Sequence, residues 1–340
     1  MPRTVLVTGA TGYIAKHIVA GLLNRGHSVV GSARSVERDA EMRSALEPAL
    51  DEKSALERFQ TKALDLTSDV GWADAMSGVD AVIHTASPFP LASPKDENEV
   101  IRPAVDGVRR MMTAASNAGI RRIVLTSSSG AITVKDAPGS GAAFDEDDWT
   151  DLNHPAATPY FKSKTLAERA AWDFATDHPE MALTVINPCF VVGPPLDASF
   201  GTSIRVIERL LKGKDPMLPR FGFPTVDVRD VAEAHIRALD TPEAEGERIL
   251  VGDRFLWFLD LAQAIEAALP DRRIVTREAP NFVIRTLALF DREVRTIVPI
   301  LGRREDVTNS KARRILGLEF RNALAAAGET ARWLDKNGIA

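Results

Sequence analysis

Residues 5–23, VLVTGATGYIAKHIVAGLL, place Gly9 and Gly12 directly after a β-branched run and at the head of an amphipathic stretch. Few folds send a strand straight into a helix over a glycine turn so near the chain start. Side chains at these two positions would block the turn and keep backbone N–H groups from a phosphate, which the positive end of the helix dipole also favours. Ala15 takes the third position, where a small residue lets helix and strand pack closely. The spacing is a three-residue repeat, unlike the usual G-x-G-x-x-G, so its place after the first strand carries the argument. That place points to a dinucleotide, with Thr8, Gly9, Thr11, Gly12, Tyr13 and Ile14 as the expected contacts.

Short β-branched runs then alternate with longer amphipathic stretches, the pattern of βαβ units and a parallel sheet. TVLVT (4–8), SVVGSA (28–33), FQTKAL (59–64), AVIH (81–84), RIVLTS (122–127), LTVIN (183–187) and RILVG (248–252) give about seven strands. Helices are expected over 13–25, 70–76, 97–117 and 159–177, each able to cross over a sheet. This predicts an α/β fold with a doubly wound parallel sheet. After residue 255 strands become scarce and helical stretches appear at 256–268, 281–299 and 321–337, which reads as a smaller, mainly helical substrate region. The expected division is 1–187 with 225–255 for the nucleotide, and 188–224 with 256–340 for the substrate. Two Pro- and Gly-rich stretches, 136–159 and 213–224, read as long loops. The acidic run 145–148 inside the first reads as a solvated turn.

Composition removes whole classes of function. The 340 residues carry 42 Lys and Arg against 47 Asp and Glu, a net charge of −5, which speaks against a nucleic-acid or anionic-membrane partner. No run approaches the ~18 apolar residues of a membrane helix. A single cysteine, Cys189, excludes an intrachain disulfide and makes a reducing cytoplasm the default location. The six histidines lack ligand spacing, so no metal is expected. Self-association is open between monomer and homodimer.

Which dinucleotide is read at the end of the second strand, where NAD binders place a carboxylate for the ribose 2′-hydroxyl. This chain has Arg34 there and Arg38 one helical turn later, a pair suited to a 2′-phosphate, so NADP(H) is expected. Asp65 and Leu66, closing the third strand, are placed to meet the adenine. Tyr160 and Lys164 stand four apart in a helical stretch and share a face, where an ammonium would favour the phenolate form of a tyrosine. The run TSSSGAI at 126–132 ends a strand at the carboxyl edge of the sheet, and one of its serines could hold a substrate carbonyl.

Taken in order, VTGATGYIAKHIV, VIHTASPF, VLTSSSGAI, YFKSKTLAERAAW, INPCFVVGPPL and VDVRDVAEAH resemble an extended short-chain dehydrogenase/reductase of the dihydroflavonol, cinnamoyl-CoA and aldehyde reductase branch. The resemblance spans nearly the whole chain and implies a Rossmann fold. It implies Ser128, with Ser127 as fallback, acting with Tyr160 and Lys164: hydride passes from NADPH to a carbonyl carbon while Tyr160 protonates the oxygen. Thr85, Ala86, Ser87, Thr126, Pro188 and Val191 would follow the cofactor. A departure is Ala104, where many relatives carry Asn, which argues against an Asn-based proton relay. Ser87, Phe89, Ser128, Tyr160, Phe190 and Phe221 are the expected substrate contacts, and Cys189 a buried or pocket-lining thiol. The expected reaction is reduction of an aldehyde, ketone or dihydroflavonol-like carbonyl to an alcohol. The alternatives are an NAD-dependent sugar-nucleotide epimerase or dehydratase, and a non-catalytic NADP(H) sensor.

Overall fold

Seven strands lie side by side in the order β3-β2-β1-β4-β5-β6-β9, every neighbouring pair parallel. They are β1 (Thr4–Thr8), β2 (Ser28–Ala33), β3 (Phe59–Ala63), β4 (Ala81–His84), β5 (Arg122–Thr126), β6 (Ala182–Pro188) and β9 (Arg248–Val251). The computed structural model describes residues 1–87, 96–136, 142–290, 294 and 297–340. Phe89 lies outside the described residues. Strand order reverses between β1 and β4, the switch point at which doubly wound sheets open a cleft beyond their carboxyl ends.

Period-two alternation sorts the strand side chains onto two faces. Val5, Val7, Ile83 and Val124 pack with Ile18, Val19 and Leu22 of α1 (Tyr13–Asn24) and with Val231 from Val228–Asp240. Leu6, Val82, Leu125 and Val185 face the other way. They meet α4 (Asn98–Asn117), reached after α2 (Asp39–Leu46) and α3 (Trp72–Met76), and then α5 (Pro159–Asp177). Burying each of these side chains favours folding by ~1.5–3 kcal/mol. One residue-pair further along that second face the column turns polar, because Leu6 is followed by Thr8, Val82 by His84, Leu125 by Ser127 and Val185 by Asn187. All four are buried.

The C-terminal part holds more sheet than its sequence suggests. β7 (Phe190–Val192), β8 (Gly222–Asp227) and β10 (Arg254–Trp257) form a second, three-stranded sheet with β8 in the middle. β7 is too short to show a period, and β8 begins inside the Gly- and Pro-rich stretch that reads as loop. Gly222 permits it, since a Cβ there would collide with the carbonyl of Leu256 on β10. Around this sheet lie α6 (Thr202–Leu211), α7 (Val228–Asp240), α8 (Phe258–Ala268), α9 (Asn281–Leu287), α10 (Ser310–Leu316) and α11 (Ala323–Lys336). No helix among the described residues is long and apolar enough to cross a membrane.

Three side chains of α1 tie the segment after β7 to the glycine turn. Tyr13 donates its hydroxyl to the carbonyl of Gly193 at 2.7 Å, and His17 donates Nε2–H to that of Pro194 at 3.1 Å. Lys16, almost wholly buried, pairs with Asp197 and also donates to the carbonyl of Ser199. Gly193 itself needs its glycine, with φ at +121° and Val228 Cγ1 within 2.9 Å of where a Cβ would lie. Tyr13→Phe strands one buried acceptor and is expected to lower unfolding free energy by ~1–3 kcal/mol in urea titration, with the far-ultraviolet spectrum unchanged. An unaltered midpoint would contradict this role.

Candidate active site

A cleft of about 990 Å³ opens along the carboxyl edge of the large sheet at the switch point. The glycine turn forms one end. Gly9 has φ +65°, and a Cβ on it would stand 2.9 Å from Cα of Ala86, which fixes the β1 turn against the end of β4. Gly9 N–H donates to Ser32 Oγ at 3.0 Å and Ala10 N–H to the Ser32 carbonyl at 2.9 Å, so the turn is braced by β2. The first-turn N–H groups of α1 lack intrahelical acceptors by geometry, and no side chain caps them. Tyr13 and Ile14, which carry them, line the cleft together with Thr11 and Gly12. This cradle fits a pyrophosphate.

The end of the cleft beside β2 and β3 carries the residues expected to meet the adenine. Arg34 lies exposed on the lining, followed by Asp65 and Leu66 across β3. The N–H and hydroxyl of Thr67 both donate to Asp65 Oδ1 and hold its carboxyl below the ordinary value. Arg38 is not among the lining residues, and its guanidinium donates to Glu41 through two bonds of 2.9 and 2.5 Å. Thr85, Ala86, Ser87, Thr126 and Val191 line the middle. Thr85 donates its hydroxyl to the Thr8 carbonyl at 2.6 Å. Thr126 donates to His235 Nε2 at 2.7 Å, since His235 must give its Nδ1 proton to the Val231 carbonyl.

The other end is built by α5. Thr158 caps it and Pro159 starts it, so Tyr160, Lys164 and Glu168 follow at four-residue steps on one face. Tyr160 and Ser128 line the cleft and share a side-chain hydrogen bond; burial raises the phenol above its ordinary value and that bond works against the rise. Lys164 Nζ stands 5.9 Å from the Tyr160 ring centre. Burial lowers Lys164 to about 8, opposed by the charge of Glu168. Ser127 points away, donating to Glu168 Oε2 at 2.5 Å, while Ser128 and Ser129 line the cleft. Thr8, Lys164, Pro188 and Phe221 stand behind the lining; Phe221 instead packs on Phe223 and Phe258. Phe190 lines the cleft and stacks on Phe223 at 5.2 Å.

Two features escape a reading of the sequence. Glu168 is wholly buried and joins four elements: Arg248 of β9 donates to it at 2.5 Å, Asn187 of β6 at 2.8 Å and Ser127 beyond β5 at 2.5 Å. Arg248 also donates to the carbonyls of Glu146 and Asp148 and lies over the Trp149 ring at 3.7 Å. The acidic run is therefore only partly solvated, for Glu146 is buried and its carboxylate accepts from Leu250 N–H. The second feature is the segment after 297, which brings Ile300, Arg303 and Glu305 into the cleft beside Thr133, Cys189 and Phe190. The four-residue step from Lys164 was a usable signal for Glu168; nothing in the sequence signals Arg303 or Glu305. Cys189 is pushed up to about 12 by burial, an unreactive thiol. Among the described residues no group of His, Cys, Asp and Glu could hold a metal.

A glycine turn at the start of α1 and a tyrosine–lysine helix face along one cleft define a nicotinamide-dinucleotide fold. The chain belongs to the NAD dependent epimerase/dehydratase family, whose model matches residues 5–252. It is 35% identical over 252 residues to cinnamoyl-CoA reductase 1 of Arabidopsis thaliana, covering 73% of this chain and 70% of that one. A ketoreductase of Aspergillus niger is 31% identical over 347 residues, covering 97% and 96%. Among solved structures, yeast methylglyoxal/isovaleraldehyde reductase complexed with NADPH superposes with a TM-score of 0.80 at 27% identity, covering 99% of this chain and 100% of that one.

Glu168→Gln breaks a buried ion pair and leaves Arg248 uncompensated, so a loss of ~3–5 kcal/mol in unfolding free energy is expected. Chemical denaturation checks it; a loss under ~1 kcal/mol would remove the pair from the account.

Proposed function

We propose that this protein is an NADPH-dependent reductase that converts an aldehyde, ketone or dihydroflavonol-like carbonyl to the alcohol. The observation that carries the reading is the meeting of Ser128 with Tyr160, and of Tyr160 with Lys164, at one end of a cleft whose other end fits a dinucleotide phosphate. The names of the relatives, reductases of carbonyl compounds, and the NADPH held by the yeast reductase support it.

Glycine-turn N–H groups and the α1 dipole would bind the pyrophosphate, Asp65 and Leu66 the adenine, and Arg34 the 2′-phosphate. When bound, the reduced nicotinamide supplies hydride to the carbonyl carbon. Ser128 holds the carbonyl oxygen and Tyr160 gives it a proton. Lys164, as ammonium, stabilises the phenolate that Tyr160 becomes. Phe161, Phe190, Phe223, Val134 and Ile300 give the substrate end an apolar wall suited to an alkyl or aryl body. Segments 188–224 and 256–340 supply most of that wall, and 1–187 with 225–255 the nucleotide side.

Arg34→Leu is expected to raise the KM for NADPH by ~10- to 100-fold and leave that for NADH nearly unchanged, the loss of one charge-assisted contact. Equal effects on both cofactors would place the 2′-phosphate elsewhere. Since Lys164 acts while protonated and burial has brought it to about 8, turnover is expected to fall as pH rises through about 8. A flat rate to pH 10, measured with stable substrate and cofactor, would contradict the role given to its ammonium.

A further inference from the structure

An ion pair stands in the apolar wall of the substrate end. Arg303 and Glu305 line the cleft with Val134, Phe161, Phe190 and Ile300, and their side chains are only 16% and 15% exposed. Taking two charges out of water is expensive, and apolar side chains in place of such a pair are often as stable, so the pair asks for a reason other than stability. Arg303 has one. Its Nη2 donates to the Thr133 carbonyl at 2.8 Å and to that of Lys135, and Nη1 donates to His154 Nε2 at 3.4 Å, which fastens the segment after 297 to the chain that follows β5.

Glu305 needs a different one. Burial raises its carboxyl above the ordinary value, while the charge of Arg303, with Nε 2.8 Å from Oε1, and a side-chain hydrogen bond from Thr133 favour the ionised form. A carboxylate offers about four acceptor sites, so these two partners leave capacity. The turn after β5 fixes where that capacity lies. Ser128 Oγ caps Ser129–Ala131 by accepting from Gly130 N–H at 3.1 Å, and Thr133 N–H donates to the Ser129 carbonyl at 2.9 Å. Ser128, bonded to Tyr160, and Thr133, bonded to Glu305, thus belong to one short turn. Ser129 between them bonds to Cys189, whose thiol feels the charge of Glu305. Charge narrows the group that could meet this carboxylate. An ammonium would stand against the Arg303 guanidinium and a second carboxylate against Glu305 itself, and like charges brought together are costly. A neutral hydroxyl donates to Glu305 and opposes neither.

We propose that Glu305 is a specificity-determining residue of the reductase site: it accepts a hydrogen bond from a hydroxyl that the substrate carries away from its carbonyl, so that a hydroxyl-bearing carbonyl compound with an apolar body is preferred over the same body without the hydroxyl. Arg303 balances the carboxylate and holds it at the cleft wall. The inference rests on the reductase reading above.

Matched substrates separate this role from a structural one. The meta- and para-hydroxymethylbenzaldehydes are compared, by NADPH oxidation, with the meta- and para-ethylbenzaldehydes, which share their shape and lack the hydroxyl. In the wild type at least one hydroxymethyl compound is expected to exceed its ethyl analogue by ~10- to 100-fold in kcat/KM, the discrimination that a hydrogen bond to a charged acceptor supplies. Glu305→Leu is expected to abolish that preference, and Glu305→Gln, which keeps a neutral acceptor, to leave an intermediate one. A Glu305 that only balances Arg303 would lower both members of a pair together; a hydroxymethyl-to-ethyl ratio unchanged by Glu305→Leu overturns the proposal, as does a wild type that favours neither hydroxymethyl compound. Should Glu305→Leu fail to fold, the wild-type and Glu305→Gln ratios decide, and equal ratios in the two overturn it. Failure of the wild type to oxidise NADPH with any carbonyl compound would overturn the reductase reading instead.

Discussion

The buried pair of Glu168 and Arg248 is the interaction on which the geometry of this site depends. It spans α5 and β9, and through Ser127 and Asn187 it takes in the ends of β5 and β6. Burying two charges is expensive, so such a pair is weak evidence for stability. Its effect here is registration: the helix that carries Tyr160 cannot slide along the strand end that carries Ser128 without breaking charge-assisted bonds. Arg248 extends the same hold to the 146–149 turn through two carbonyls and Trp149. The charge of Glu168 also opposes the desolvation that draws Lys164 down.

A second set of ties works from the opposite side of the cleft. Tyr13, Lys16 and His17 project from the first turns of α1 and fasten residues 193–199, so the helix that would bind the pyrophosphate also positions chain leading to the substrate wall. Gly9 against Ala86 closes the third corner. Cofactor end, proton end and apolar wall thus share rigid elements instead of meeting across free loops, which is what a reaction sensitive to small displacements requires.

Much of this was legible before any coordinates. Strong β-branched runs and a glycine turn specify the seven-stranded sheet, because period and turn chemistry act locally. Tyr160 and Lys164 were visible for the same reason, being one helical step apart. The three-stranded sheet was not, since Phe190–Val192 is too short for a period and Gly222 is explained only by its neighbour on Arg254–Trp257. The family resemblance ranks Ser128 before Ser127, and the opposing helix adds a physical difference by claiming Ser127 for Glu168. Arg38 pairs with Glu41, three residues on, a contact that its place after the second strand does not reveal. Arg303 and Glu305 reach the cleft from a distant segment, a contact that no local pattern encodes.

The central claim is that this cleft passes hydride from NADPH to a carbonyl carbon while its own side chains supply the proton. Reduction with NADPH carrying deuterium at the transferable C4 position, read by mass spectrometry and NMR of the product, tests it most directly. One deuterium on the carbinol carbon for each NADPH oxidised, and an exchangeable solvent proton on the hydroxyl, are expected. A product free of deuterium, or a substrate altered with no net oxidation of NADPH, as an epimerase would give, contradicts it.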